Sequence, residues 1–523
     1  VENKKEVNMA MQASKGRQPI SIPTKLTGTF VLVISTIFST HIEAKSDNHN
    51  ETDLSYLEEL GKRLFFENIS DPERMSCATC HAPSTGGTYG VSGVNLHQVA
   101  VTGARPHLRP QDIELLGLQG KTTTKNAGAL KPPTNQYTIF LDKNGVPFGL
   151  GRLKDRGVSP CGFFPCGGAF WNGRAPGDIV EQTNAVFMPS DASWLKLNEY
   201  SKYLGPLADQ AFASPFLNPV EQNHKTKSDV CQQVEGTKWG SELYYLSWNV
   251  PLDCQSEDGT NQAFARFAVA LAAWQMSADN NRFSSKRDMA LASDADHKFP
   301  LDGFTQLEND GHDLFYGEAG CSACHSAGGD GTDPEERYTD DTYHSIGVPR
   351  NYEIPGSPEP DPGVDPTLIK FGLTSTVFGI RNAFRGHHKT PTLRNVDKRN
   401  GKGFIKAYTH GGWFKSLESL VHFYNTSNVN GETAKGFKIT RCPDGIVTEK
   451  DALANNCWPA PEINSPFSSL GAVNPATGKT FTGDLGLTEY QESAIVAYLK
   501  TLTDTTTVEP PKPYQSSSKA KNK

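Results

Sequence analysis

Apolar residues recur at helical spacing in several separated stretches of the chain. Over residues 53–66 they fall at Leu54, Leu57, Leu60, Leu64 and Phe65, close to the period of about 3.6 residues that marks one helix face. Over residues 264–276 an alanine-rich run carries Phe267, Leu271 and Trp274 on one side, and residues 304–315 repeat the first pattern. Leu417, Leu420, Val421 and Tyr424 share a side of another predicted helix. Near the end, Thr488-Glu-Tyr-Gln491 reads as a capping box, and Ile495, Tyr498, Leu499 and Leu502 extend the helix it opens. No stretch sustains the alternation of a strand. Between the helical stretches lie Gly/Pro-rich segments at 82–135, 142–170 and 326–365, so the pattern predicts a mainly α protein with long loops and insertions.

The two ends differ from the rest. Lys15, Arg17 and Lys25 precede an apolar run over residues 30–38, and the small residue Ala44 follows. That order is a secretory signal peptide's, with Met9 and Met11 as candidate starts, and the run is too short to span a bilayer. Residues 1–44 are therefore expected to be leader, and the mature chain to be exported to the periplasm without a membrane span. At the other end, residues 508–523 are polar and are expected to be disordered.

Composition adds little until the cysteines are placed. The 48 glycines and 34 prolines favour loop, and the formal net charge of −7 argues against nucleic acid and mildly favours a basic electron-transfer partner. Roughly 480 residues remain after the leader, long for a single core and suited to two domains with insertions.

The chemistry lies in two pentapeptides, Cys77-Ala-Thr-Cys80-His81 and Cys321-Ser-Ala-Cys324-His325. Cys-x-x-Cys-His is the pattern of covalent c-type haem attachment, with the thiols adding to the porphyrin vinyls and the histidine ligating iron. A shared zinc centre would leave each histidine without a role, and a thioredoxin-like pair needs none. Each pentapeptide is entered by a similar phrase, Leu60-Gly61-Lys62-Arg63-Leu64-Phe65-Phe66 and Gly311-His312-Asp313-Leu314-Phe315. Two c-type-cytochrome-like haem domains are expected, at 45–290 and 291–507. Of the ten cysteines, Cys161, Cys166, Cys231, Cys254, Cys442 and Cys457 remain, and an even remainder in an exported chain suggests disulfides. Nearest-neighbour pairing (161–166, 231–254, 442–457) is favoured because each bridge closes a local loop.

With these motifs in hand, the sequence resembles the bacterial dihaem cytochrome c peroxidase / MauG family. Further phrases carry the likeness: Phe170-Trp171-Asn172-Gly173-Arg174-Ala175, Asn218-Pro219-Val220-Glu221, Lys389-Thr-Pro-Thr-Leu-Arg394-Asn-Val396, and Leu417-Glu418 with Val421, Phe423 and Tyr424. It extends over roughly residues 53–503 and implies a mostly helical, two-haem oxidoreductase that reduces hydrogen peroxide. The electrons would come from a small donor protein, a cytochrome c or a cupredoxin. The alternatives are a MauG-like oxidase that modifies Trp or Tyr of a partner protein, and a dihaem electron-transfer cytochrome without peroxide chemistry.

The resemblance also implies roles. Glu221 matches the family's distal glutamate, and a peroxide-cleaving site needs such an acid–base group. Pro215 matches a distal proline, which cannot ligate iron. The distal glutamine of the family falls on Ala211 here; Gln210 sits one place earlier, and Gln182 follows Trp171 at nearly the family distance. Trp171 looks like the tryptophan held between the haems, and Arg174 is expected at a haem propionate. The second haem's distal ligand in conventional members is a Met fourteen residues after a His; here His410 is followed at that distance by Tyr424, and no Met occurs after Met289. Tyr424 is therefore expected to join His325 on the second iron, as His81 binds the first. His97, sixteen residues after His81, stands where conventional members place a blocking His, but the first site is expected to stay open. A calcium ion between the domains would use the Asn126 side chain and the carbonyls of Ile405 and Ala407.

Overall fold

The computed structural model describes residues 54–92, 130–148, 166–177, 200–354, 359–364, 384–429 and 436–516, apart from short gaps. The leader, His97, Asn126, Cys161 and Gln182 lie outside the described residues. The fold is mainly α, as expected, and among the described residues the strands form only three two-residue pairs.

Two helix crossings of the same design anchor the chain. Ser55 caps the Tyr56–Phe66 helix in a capping box with Glu58, and the helix packs on Glu257–Met276. Thr305 and Glu308 do the same for Gln306–Tyr316, which packs on Glu489–Thr501, itself opened by the Thr488/Gln491 box read from sequence. Gly61 and Gly311 mark the closest approach in the two crossings, where a side chain would have no room. The apolar face of each crossing seeds one core. The first gathers Leu57, Leu60, Leu64, Phe267, Leu271 and Trp274. The second gathers Phe315, Tyr338, Trp413, Phe423, Trp458 and Tyr498.

Helices at Pro206–Ala213, Lys227–Glu235 and Gly240–Trp248 complete the first core, and Leu417–Thr426 lies in the second. The Cys231–Cys254 and Cys442–Cys457 disulfides are present as expected. Cys166 is also disulfide-bonded. Arg394 binds both oxygens of Asp288 at 3.0 and 2.9 Å, and Arg287 adds a third contact at 3.1 Å. This knot fastens the Lys286–Ser293 helix to the segment that follows Lys389.

The tail differs from expectation. Residues 508–516 are not disordered: Val508 is buried in the first core, Arg63 donates to the Lys512 carbonyl at 2.7 Å, and its guanidinium lies 5.0 Å from the Tyr514 ring centroid. Asp504 fixes the entry to this strap, accepting from the Tyr137 hydroxyl and from Asn395. A polar composition concealed two anchoring residues, one apolar and one aromatic.

Candidate functional site

Two cavities open on either side of Trp171. The first contains Cys77, Cys80 and His81, the second Cys321, Cys324 and His325. Short helices, Cys77–Cys80 and Ser322–His325, set each thiol pair on one turn. These four are the free cysteines among the described residues. Burial pushes the Cys77 and Cys321 thiols up to about 12, with Glu221 adding to the rise at Cys77 and Cys324 at Cys321. Such thiols are poor nucleophiles on their own.

Each histidine is aimed by its other nitrogen. His81 Nδ1 donates to the Pro133 carbonyl at 2.8 Å and lies 3.2 Å from the Gly87 carbonyl; His325 Nδ1 donates to Tyr338 at 3.1 Å. A carbonyl only accepts, so the proton sits on Nδ1 and Nε2 keeps its lone pair for a metal. Burial lowers the pKa of both imidazoles and keeps them neutral. Paired free thiols beside a neutral imidazole in a large cavity are the donor set a covalent haem requires, and both sites fit it.

On the far side of the first cavity, residues 215–218 and 221–224 fold back on each other. Gln222 N donates to the Pro215 carbonyl at 3.0 Å, Glu221 N to Asn218 at 2.9 Å, and His224 N to Phe216 at 2.9 Å. The loop brings Pro215 and Glu221 to the same cavity as His81. Burial raises the pKa of the Glu221 carboxyl; Arg174 and the Asn218 side chain, 2.9 Å away, pull it back part of the way. Arg174 itself is exposed and stacks on Phe170, 4.2 Å from the ring centroid. Ala211 and Gln210 line this cavity, but so do Gln222 and Gln275, two amides the motifs did not suggest. Gln275 follows Leu271 by one helical turn, and only that spacing could have placed it.

Trp171 is shared by both cavities, along with Lys131, Thr134 and the stretch from Lys389 to Thr392. It sits at the tip of a turn in which Phe170 has φ 66° and Gly173 φ 70°, and a Cβ on Gly173 would stand 2.4 Å from the Tyr343 hydroxyl oxygen. The indole Nε1 donates to the Lys131 carbonyl at 2.7 Å, Lys389 N donates to the Trp171 carbonyl at 2.8 Å, and Lys131 N donates to the His410 carbonyl at 2.7 Å. Three distant segments thus close on one ring. His410 meets that ring edge-on and stacks on His388 at 3.5 Å, with Glu462 bonded to its Nε2.

In the second cavity Tyr424 comes off the Leu417–Thr426 helix beside Cys321 and Cys324. Its hydroxyl finds no hydrogen-bond partner among the described residues, and burial, with both neighbouring thiols, holds its pKa above the ordinary phenol value. The rival ligands are engaged elsewhere: His410 by Glu462, and His422 by Glu492 at 3.0 Å.

Comparison with known proteins gives the family. A family model described as di-haem cytochrome c peroxidase matches residues 56–296. The methylamine utilization protein MauG of Paracoccus denitrificans is 26% identical over 447 residues, which cover 85% of this chain and 88% of the relative. The protein of the same name from Methylorubrum extorquens is 30% identical over 70% of this chain and 67% of its own length. Among solved structures, the diheme peroxidase BthA of Burkholderia thailandensis matches with a TM-score of 0.55 at 23% identity, over 86% of this chain and 87% of that one. That last likeness concerns the fold alone.

Proposed function

Since the chain belongs to the di-haem cytochrome c peroxidase family, an oxidoreductase family with two haems c, we propose that it is an exported peroxidase in which hydrogen peroxide is cleaved in the first cavity. The haems, when bound, supply the iron that takes peroxide and the electrons that reduce it. His81 and His325 would hold their iron through Nε2. Glu221 takes the proton from one peroxide oxygen and returns it to the other, so that water can leave. Pro215 presents no donor to the metal side and keeps the space beside Glu221 for substrate. Trp171, an oxidisable ring common to both cavities, carries electrons from the second site, where Tyr424 would give the iron a hard phenolate donor in addition to His325. In this reading the first site belongs to residues 45–290 and the second to residues 291–507.

The single observation that carries the proposal is the sharing of one cavity by Pro215, Glu221 and His81, with Trp171 as its wall to the next. The experiment is to mix holoprotein with stoichiometric peroxide and follow the Soret band, then supply a reduced cytochrome c or cupredoxin. A spectral change followed by donor-dependent turnover is expected. No change, and no turnover with any donor, would leave an electron-transfer cytochrome. The extensive match to MauG relatives favours a second reading, oxidation of Trp or Tyr on a partner protein. Peroxide-driven modification of such a protein without turnover of small donors would select it.

A further inference from the structure

Lys406 stands between Ile405 and Ala407, the two residues whose carbonyls the family resemblance assigns to a calcium ion. Its side chain does not reach solvent: the residue is 5% exposed. The ammonium donates to three main-chain carbonyls, Asn395 at 2.8 Å, Thr85 at 2.9 Å and Lys398 at 3.2 Å. Thr85 belongs to the loop just after Cys77–His81, whereas Asn395 and Lys398 follow Arg394. The seat therefore joins the segment beside the first cavity to the segment beside the second.

We infer that the Lys406 ammonium takes the place of a metal cation between the two haem-bearing halves, so that this chain is held there by a tethered lysine and not by calcium.

The geometry is an ammonium's. A lysine offers three N–H donors, and three carbonyls satisfy them at ordinary hydrogen-bond distances. Calcium needs six to eight oxygens at about 2.3–2.6 Å, with carboxylates commonly among them. Asp397, the acid whose field reaches Lys406, is already bonded to Arg399 at 2.7 Å and to the Tyr408 hydroxyl at 3.2 Å. A second buried ammonium, Lys131, lies close enough to repel the first, and sits 5.9 Å from the ring centroid of Trp171. Burial lowers the pKa of both lysines; Lys406 still presents its N–H donors to the three carbonyls, and whatever charge the pair keeps repels a dication placed beside it. The seat is also shaped for its occupant. Gly86, at φ +74°, lets the Thr85 carbonyl come in, and a Cβ there would stand 2.7 Å from Asn395 Cβ and 3.5 Å from the Lys406 nitrogen. Burying the ammonium without these acceptors would be costly, so the carbonyls and the lysine hold one another.

Metal analysis of the holoprotein, dialysed against calcium-free buffer, tests the inference. Calcium well below one ion per chain is expected, with no shift in melting temperature on adding excess EGTA. One calcium per chain that survives dialysis, or a melting temperature that falls with EGTA and returns with calcium chloride, overturns it. Lys406→Ala should lower the melting temperature, and methylammonium chloride should restore part of the loss while tetramethylammonium, which has no N–H, does not. A variant that melts like the parent also overturns the inference. Should Lys406→Ala fail to fold, Lys406→Met keeps most of the stem for the same comparison, and the metal analysis of the parent decides regardless.

Discussion

Gly61 lies against the main chain of Ala270 so closely that a Cβ built on it would stand 1.9 Å from the Ala270 carbonyl oxygen. Gly311 repeats the relationship with Ala494, at 2.0 Å. Neither glycine has a positive φ, so the reason for glycine is space alone. On an exposed helix, Gly→Ala gains about 1 kcal/mol. Here Gly61→Ala and Gly311→Ala should each cost about 1–3 kcal/mol or more, because the crossing must open. Thermal melts of the two variants check the sign. A stabilised Gly61→Ala protein would mean that the helices do not meet as described.

Glu221 sets the expected pH dependence. Burial raises its pKa, so it stays protonated at pH values where an exposed carboxyl has ionised. In the proposed reaction it acts as a base in its ionised form. The rate of the peroxide reaction should therefore fall on the acid side, with a midpoint above the ordinary carboxylate range, and be flat above it. The stability term has the opposite sign: it is most favourable at low pH and is lost as the pH rises through the raised pKa. Glu221→Gln should remove the acid limb and slow the reaction by roughly 10²–10⁴-fold. Stopped-flow rates across pH, for both proteins, are the measurement.

Tyr424→Phe preserves the ring and the apolar face of its helix while deleting the oxygen. The second haem should lose its six-coordinate ferric signal or take up water, and its potential should rise as an anionic donor disappears. Ferric EPR reads this directly. A spectrum unchanged from the parent would return attention to His410 and His422, each of which would first have to leave its carboxylate partner.

The Cys231–Cys254 bridge closes a loop of 23 residues beside the segment that carries Glu221. Replacing both cysteines by alanine should cost about 2–4 kcal/mol. Both haems should remain attached, since neither pentapeptide is touched. Haem content by pyridine haemochrome, together with the melting temperature, separates a loosened distal loop from a failed fold.

The parts of this structure that were legible in advance share a property: their logic is local. The Thr488/Gln491 box, the stripe from Leu417 to Tyr424 and the two pentapeptides each carry their meaning within a few residues. The helix at Lys227–Glu235 was passed over because only Val230, Cys231 and Val234 are buried in it, too few to stand out from polar neighbours. Long-range polar contacts were wholly hidden. Nothing near Arg394 in the sequence points to its grip on Asp288, and nothing near Lys406 points to the three carbonyls it binds. No periodicity announces which distant carbonyls a buried ammonium will find.

The strap formed by residues 504–516 bears on the order in which the molecule is made. Val508 belongs to the core built around the Tyr56–Phe66 helix, and Arg63 of that helix holds Lys512 and Tyr514. The half synthesised first is thus finished last. While the chain is still emerging, that core lacks one of its buried residues and Arg63 has only Glu59 and Glu67 to hold it, so the region around Cys77 and Cys80 stays looser than its counterpart around Cys321. A chain stopped after Thr503 should keep that immature condition permanently, visible as protease cuts in residues 56–80 while residues 306–325 resist. Closure of the earlier half is in this sense a proof-reading step: it can take place only once the whole polypeptide has arrived.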